Sequence, residues 1–330
     1  MTYTSGSQIV ATDYNGFAAN TADGNVNDIY GTGSADKGYG QAGTIATVSA
    51  GATISATQWA TLVNTISTIA SHQGTSITSR TAPSAGDTIS ILTAVATDLG
   101  TLNTNRGSAA GSGTPIVAFS GTSSKTSSTG SGSSAWTIVF SHTITFGSAN
   151  EARYFFNSGG LIKWATSKTS TGNLADAEWN DLATTLVGDI YISGGTATQN
   201  INSVSYTGTT KVGGSGTPNT LASNTGWYDL TTSDTLIYKQ FADTAPYTGQ
   251  FIQIQAKTAG SGTQLVLTTT WSDPGGSGAG SSDVITGGTA TSSPFSSFGT
   301  APATIVTVTP PSATFLTSTW GTQSVAATTT

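Results

Sequence analysis

The hydrophobic period of the chain changes along its length, and each period predicts a different kind of element. Between about residues 52 and 107, apolar side chains recur at three- and four-residue intervals, as they do in amphipathic helices. Ser55 and Gln58 have the spacing of a capping box, and Gly74 supplies a stop for this first helix. Its apolar stripe comprises Trp59, Leu62, Val63, Ile66, Ile69 and Ala70.

A second helix is predicted between a cap at Asp87 and a terminating Gly107. Its apolar face comprises Ile89, Leu92, Val95, Leu99 and Leu102. Two helices of this length do not bury both stripes in isolation, so we expect a hairpin that packs on itself and on a partner chain. The predicted oligomer interface comprises Trp59, Leu62, Ile66, Ile69, Leu92 and Leu99.

Residues 135–330 have the period of two that is typical of β-strands. Alternate positions from 136 to 146 carry Trp136, Ile138, Phe140, His142, Ile144 and Phe146. Further strands are predicted at 189–193, 236–241, 251–256, 264–271 and 304–309. Glycine-rich turns separate them, so the sequence predicts an antiparallel β-sandwich.

Two local features are predicted within this sandwich. The segment 153–165 has the pattern of a hairpin that turns on Gly159 and Gly160. A helical insert follows, because Trp179, Leu182, Ala183 and Leu186 share one helical face, and it ends at Gly188.

Two glycine-rich stretches flank the helical hairpin. Residues 1–51 are predicted to be an extended arm laid on another surface, with glycines at 31, 33, 38 and 40 that permit positive φ. Residues 108–134 are rich in glycine and serine, which favours a flexible linker with one short strand at 116–119. The predicted fold class is therefore mostly β with a smaller α part.

Composition narrows the classes of function. Only 8% of the residues are charged, the net charge is -6 and cysteine is absent, whereas 36% are hydrophobic, which is enough to fill a core. The ten basic residues are scattered, so a nucleic-acid surface is not expected. The first residues show no secretory signal, and no apolar run is long enough to span a membrane, so we expect synthesis in a cytoplasm without an export signal.

Several phrases resemble those of uncharacterised virion structural proteins of tailed phages, including cyanophages and their T4-like relatives. These phrases are Gly31-Thr-Gly33, Gly38-Tyr-Gly-Gln41, Gln58-Trp59-x-x-Leu62, His72-Gln-Gly74 and Tyr154-Phe-Phe-Asn-Ser-Gly-Gly160. The resemblance implies a non-enzymatic part of a phage particle, in its tail, neck or fibre apparatus, that is released by host lysis. It supplies no catalytic residues.

The residues that could carry chemistry favour structural roles. His142 lies on the aromatic face of a strand and His72 at a helix end. The acidic residues Asp176, Glu178 and Asp181 have the spacing of the wet side of an amphipathic helix, although a glycosidase pair is the alternative. Asp273 and Asp283 bracket a glycine-rich loop that is either a calcium loop or a hairpin tip. Gly31-x-Gly33 lacks the rest of a nucleotide-binding motif. We expect no catalytic residue, cofactor or metal ion.

Aromatic residues beside turns are the remaining functional signal. Most of them are expected to be core or interface residues, but they could also stack on a sugar ring or anchor in another protein. They are Trp227, Tyr228, Tyr247, Phe295 and Phe298. We therefore expect a virion protein that associates with itself and with other virion proteins. The alternatives are a capsid decoration protein and a spike that binds or depolymerises host glycan.

Overall fold

A computed structural model describes residues 9–19, 25–43, 45–87, 92–121, 136–170, 174–195, 197–245, 247–273 and 302–329. Within these residues the chain is mostly β with a smaller α part, as predicted. The helices are α1 (Ala11–Ala18), α2 (Val26–Tyr30), α3 (Ala56–Gln73), α4 (Leu92–Thr104), α5 (Ala149–Asn157) and α6 (Leu174–Asp181). No described helix is both long and apolar enough to cross a lipid bilayer.

The strands form three antiparallel sheets. The strands are β1 (Ile116–Gly121), β2 (Trp136–Thr145), β3 (Leu161–Ser167), β4 (Asp189–Ile192), β5 (Gln199–Ile201), β6 (Val204–Tyr206), β7 (Thr209–Val212), β8 (Thr220–Leu221), β9 (Thr235–Phe241), β10 (Phe251–Ala259), β11 (Gln264–Asp273), β12 (Ala303–Thr309) and β13 (Ser324–Thr329). A five-stranded sheet has the order β1-β12-β3-β4-β7, and a six-stranded sheet has the order β13-β2-β11-β10-β9-β8. β5 and β6 form a separate hairpin.

The two large sheets face each other across one hydrophobic core. Trp164 of the five-stranded sheet is fully buried, and its Nε1 donates to Thr269 Oγ1 of the six-stranded sheet at 2.7 Å. Trp179 of α6 stacks on Trp271 of β11 at 5.6 Å between ring centroids. The strands predicted from the period of two are confirmed, because alternate side chains on β10, β11 and β12 are buried.

The sandwich has two different ends. At one end β1 finishes at Gly121 opposite the start of β12, and β2 starts at Trp136 opposite the end of β11. At the other end Thr145 of β2 lies opposite Gln264, and α5 follows directly. The N-terminal helices contact the sandwich beside α5, so the helical part and the strand ends at Gly121 and Asp273 lie at opposite ends.

The N-terminal stretch differs from the predicted extended arm, because it contains α1 and α2. Asn27 bonds both backbone groups of Ile45, through Nδ2 and Oδ1 at 2.8 Å each, and Asn15 does the same with Val48 at 2.9 Å. Each amide side chain thus bonds both the N–H and the C=O of one residue, as the backbone of a neighbouring β-strand would do. The tertiary contacts of these two asparagines stabilise helices too short to be stable alone.

The segment predicted as a hairpin at Gly159 and Gly160 is instead a helix followed by a strand. Ser148 caps α5, and its Oγ accepts the backbone N–H of Glu151 at 3.1 Å. Phe155 and Phe156 are adjacent in the sequence, and both are buried in the core. A helix can bury two consecutive side chains on one broad apolar face, whereas consecutive side chains of a strand point to opposite faces of the sheet. Gly159 and Gly160 therefore lie between the end of α5 and the start of β3.

Two further expectations are corrected. Part of the predicted linker is fixed on the sandwich, since Ala109 N–H donates to Asn200 O at 2.9 Å and Gly113 N–H to Pro310 O at 2.7 Å. Residues 122–135 of that stretch lie outside the described residues. The helical insert is confirmed, but α6 continues into a π-helical turn, Leu182–Leu186, before Gly188.

Candidate functional site

Four of the phrases that resemble phage virion proteins meet at one place, which we call the joint. The joint comprises residues 31–41, 72–74 and 153–160 together with Tyr228. It lies where the helical part contacts the end of the sandwich. Residues far apart in the sequence are thus in direct contact.

Asn157 lies buried at the centre of the joint. Its Nδ2 donates to the backbone oxygens of Lys37 at 2.9 Å and Gly38 at 3.0 Å. The Tyr228 hydroxyl lies 2.5 Å from Asn157 Oδ1 and 2.9 Å from the backbone oxygen of Ala35. Burial raises the pKa of Tyr228, so its hydroxyl stays protonated and acts as a donor. Asn157 and Tyr228 thereby satisfy carbonyl groups of a loop that lacks regular structure.

Arg153 binds the same loop from the solvent side. Its Nε donates to Ala35 O at 3.1 Å, and its Nη2 donates to Thr32 O at 3.1 Å. A guanidinium with fixed donors suits several carbonyl groups at once. The loop is also held by ion pairs, one between Arg106 and Asp36 and one between Lys37 and Asp28 at 3.3 Å.

The end of α3 contacts the joint through buried polar side chains. Tyr39 donates its hydroxyl proton to Arg106 O at 2.7 Å and accepts from Gln73 Nε2 at 2.8 Å. The His72 ring lies edge-on to Tyr39 at 5.1 Å, and its Nε2 lies 3.2 Å from Ser158 O. Burial lowers the pKa of His72 to about 4, so the ring is neutral near pH 7 and its Nε2 proton is donated to Ser158.

Two glycines are required at the joint by space and by backbone angle. Gly40 has a φ of 71°, and a Cβ there would lie 2.5 Å from the ring of Tyr154. Gly159 has a φ of 89°, and a Cβ there would lie 2.5 Å from Ala109. The glycines that the sequence presents in short phrases therefore mark close approaches between segments.

The segment after β12 closes the joint from the opposite side. Gln41 Oε1 accepts the N–H of Thr317 at 2.8 Å, and Gln41 Nε2 donates to Thr317 O at 2.9 Å. The Thr319 hydroxyl donates to Tyr39 O at 2.5 Å. The joint therefore binds both ends of the chain to the sandwich. Most of the side-chain donors named here bind backbone carbonyl groups, so these contacts hold the segments of the joint in position.

The predicted oligomer interface lies inside the chain. Trp59, Leu62, Ile66, Ile69 and Leu99 are all buried, and the side chain of Leu92 lies outside the described residues. α1 covers part of this stripe, since Tyr14 lies edge-on to Trp59 at 5.4 Å and Phe17 lies 6.4 Å from it. The expectation that a partner chain covers the stripe is corrected, because the chain covers it with its own N-terminal helices.

The described aromatic residues beside turns are mostly buried, as expected for most of this set. Trp227 stacks on Phe156 at 5.2 Å, and Tyr247 is also buried. Tyr228 is half-buried, with its hydroxyl in the joint. Phe295 and Phe298 lie outside the described residues. Trp227 and Tyr247 therefore serve packing, and Tyr228 serves the hydrogen bonds of the joint.

The remaining titratable groups lie in separate places. His142 is fully buried on β2, where burial lowers its pKa to about 4. Glu178, Asp181 and Asp243 place carboxylate oxygens within 4.8 Å of one another, and burial raises the pKa of Glu178. This arrangement suits a shared proton or a cation at the far end of the sandwich. The side chain of Asp176 and the loop from 274 to Asp283 lie outside the described residues, while Asp273 is buried and accepts from Gln250 at 3.0 Å.

Sequence reasoning identified the glycines of the joint but not the side chains that bind the loop. Gln41 and Asn157 lie within two of the quoted phrases, and Arg153 immediately precedes the phrase that contains Asn157. A polar residue between aromatics and glycines was the available signal. Comparison with known proteins adds no relative, because no family model, curated protein or solved structure matches this chain.

Proposed function

We propose that this chain is a non-enzymatic structural protein of a tailed-phage virion, associated with the tail, neck or fibre, that associates with itself and docks on other virion proteins. The observation that carries the proposal is the joint. The phrases that resemble virion proteins supply side chains and glycines that fix the helical part to the sandwich. Such contacts fix the relative position of two parts of the molecule, as a structural component of a particle requires.

The distribution of polar groups supports the same proposal. The outward positions of β2 and β11 carry mainly threonine, serine and valine, such as Thr143 opposite Val266 and Ser141 opposite Thr268. Hydroxyl-bearing surfaces with few charges pack against identical or similar neighbours without like-charge repulsion. The two different ends of the sandwich give one molecule two separate surfaces for neighbours in a particle.

Electron microscopy of intact particles tests the proposal. Virions of the phage that encodes this chain are labelled with a gold-conjugated antibody raised against the purified protein. Label on tails, necks or fibres is expected. Label on heads that lack tails would favour the capsid decoration alternative and contradict the proposed location.

One observation favours a second candidate, a spike that hydrolyses host polysaccharide. Glu178 is buried beside Asp181 and Asp243, and a carboxyl with a raised pKa next to a second carboxylate is the arrangement of a glycoside hydrolase. The test is reducing-sugar release from capsular polysaccharide by the purified protein. Turnover that the Glu178→Gln variant abolishes would establish this candidate and overturn the non-enzymatic proposal.

A further inference from the structure

β1 carries the two most exposed large apolar side chains in the described part of the chain. Val117 is 64% exposed and Phe119 is 50% exposed, whereas the neighbours Ile116 and Ala118 are half-buried. The alternation shows that one face of β1 packs inward and the other faces solvent. Exposed apolar side chains on adjacent outward positions of one strand indicate a contact surface.

β1 is also an edge strand. It ends the five-stranded sheet and pairs with β12 alone among the described strands. β13 of the other sheet lies near β1 without pairing with it, and it leaves Val117 and Phe119 uncovered. Edge strands are usually protected by a charge, a proline or a bulge, and β1 contains no charged residue or proline between Ile116 and Gly121.

We propose that a second copy of this chain pairs with β1 in antiparallel orientation, about a twofold axis through Ala118. This inference rests on the proposed function, which includes self-association, and it moves the contact from the buried helical stripe to β1. The two five-stranded sheets would then join into one continuous sheet across the dimer.

The sequence of β1 is complementary to itself in this register. Ala118 lies opposite its own copy, so Val117 lies opposite Phe119 of the partner subunit on the solvent face. An aromatic side chain opposite a β-branched one is a favourable cross-strand pair. The same register matches two such pairs, because a twofold axis repeats each contact.

The surroundings of β1 fit an identical partner. Within its own sheet Phe119 lies opposite Ile305, and Val117 lies opposite Thr307, so the apolar strip continues onto β12 beside Phe119 and meets a hydroxyl group beside Val117. The nearest ion pair on this face joins Lys163 of β3 to Asp189 of β4 at 3.4 Å, and it is neutral overall. Among the described residues, two copies therefore meet without like charges facing each other.

The first experiment compares two phenylalanines of similar exposure by sedimentation equilibrium. Phe119→Lys places a charge on β1, while Phe315→Lys is the matched control because Phe315 is 46% exposed and lies outside β1. The wild type and Phe315→Lys are expected to form dimers, and Phe119→Lys is expected to weaken dimerisation at least tenfold. Circular dichroism and a thermal melt of each variant establish that it is folded.

The second experiment tests the register, and it uses the absence of cysteine from the chain. Val117→Cys and Phe119→Cys are made as separate variants and oxidised alone and as a mixture. Directly opposite positions are close enough for a disulfide, whereas positions two residues out of register are not. A disulfide-linked dimer is therefore expected in the mixture and at most weakly in either variant alone.

Three outcomes would overturn the inference. The first is a wild type that is still monomeric at about 0.1 mM, where a weak dimer with a dissociation constant of about 10 μM would be mostly assembled. The second is an assembly whose mass Phe119→Lys leaves unchanged. The third is cross-linking that is equal in all three samples. The second outcome would leave the proposed self-association intact and place it elsewhere. A monomeric wild type would also contradict the proposed self-association, whereas antibody labelling of particles tests the proposed place in the virion independently of all three.

Discussion

The sandwich core and the joint are both buried, yet different interactions hold them. The core is filled by apolar and aromatic side chains such as Trp164, Trp271 and Ile254, which strand periodicity places between two sheets. The joint is filled by amide, hydroxyl and guanidinium groups that bind backbone carbonyls, with Asn157 at its centre. The core therefore tolerates exchange of one apolar side chain for another of similar size, while the joint requires particular donors and glycines.

The largest effect is expected in the core. Trp164→Ala removes a fully buried indole and its hydrogen bond to Thr269, so we expect a loss of about 4 kcal/mol in the free energy of unfolding. Urea denaturation measures it. Trp164→Phe keeps most of the ring volume and is expected to lose about half as much. Equal losses in both variants would show that packing contributes little here.

The next effect is expected at the joint. Asn157→Ala removes the buried side-chain donor of the Gly38 carbonyl group and the acceptor of the Tyr228 hydroxyl, at a cost of about 3 kcal/mol, while the Lys37 carbonyl group keeps Arg153 Nη2 at 3.2 Å. Trypsin cleavage after Lys37 reports opening of the loop and is expected to accelerate at least tenfold. Asn224→Ala is the control, because Asn224 is exposed. Unchanged cleavage in Asn157→Ala would contradict the role of this side chain.

A pair of glycines separates backbone strain from crowding. Gly40→Ala and Gly51→Ala both place alanine at positive φ, 71° and 81°, but only Gly40 has the Tyr154 ring in the way. We expect Gly51→Ala to cost about 1 kcal/mol and Gly40→Ala about 2 kcal/mol more, since overpacking adds to strain. Thermal melts measure both. Equal costs would show that the joint accommodates a methyl group at Gly40.

The smallest of the four effects depends on pH. His72 in the joint and His142 in the core have pKa values of about 4, below the ordinary 6.5, because burial disfavours the charged ring. Between pH 6.5 and pH 4 the unfolded chain therefore binds more protons than the folded chain. The free energy of unfolding is highest above pH 6.5, where both histidines are neutral in either state, and it falls as the pH falls towards 4. At pH 5 each histidine is expected to lower the stability by about 2 kcal/mol relative to pH 7.5.

Denaturation at pH 7.5 and pH 5 checks this in variants of each region. His142→Leu is expected to remove the part of the pH dependence of stability that comes from the core. His72→Gln is expected to remove the part that comes from the joint, and its amide keeps a donor for Ser158 O. A variant whose pH dependence equals that of the wild type would show that its histidine stays neutral in both states.

The difference between the two regions also explains which features could be predicted from the sequence. β2 and the stripe of α3 were predictable because each follows a period that matches its element over many residues. α1 and α2 were not, because Asn15 and Asn27 stabilise them through contacts with residues 18 to 33 positions away. The helix at 149–157 was misread because the glycines after it also fit a hairpin.

The joint was visible in the sequence only as separate phrases. Nothing in the phrase Gly38-Tyr-Gly-Gln41 indicates that Asn157, which is 119 residues further along the chain, donates a hydrogen bond to Gly38 O. The sequence does not show which of the aromatic residues beside turns are buried, for a related reason. Trp227 lies next to a glycine, but its partner Phe156 is distant in the sequence, so local pattern does not reveal its burial.

We propose that the chain is a constituent of a phage particle. Quantitative mass spectrometry of density-banded virions, before and after separation of heads from tails, tests it most directly. If the chain belongs to the tail, several copies per particle are expected, and they remain with the tail fraction at a constant ratio to the other tail proteins. Absence of the chain from washed particles, with the protein present only in the lysate, would contradict it.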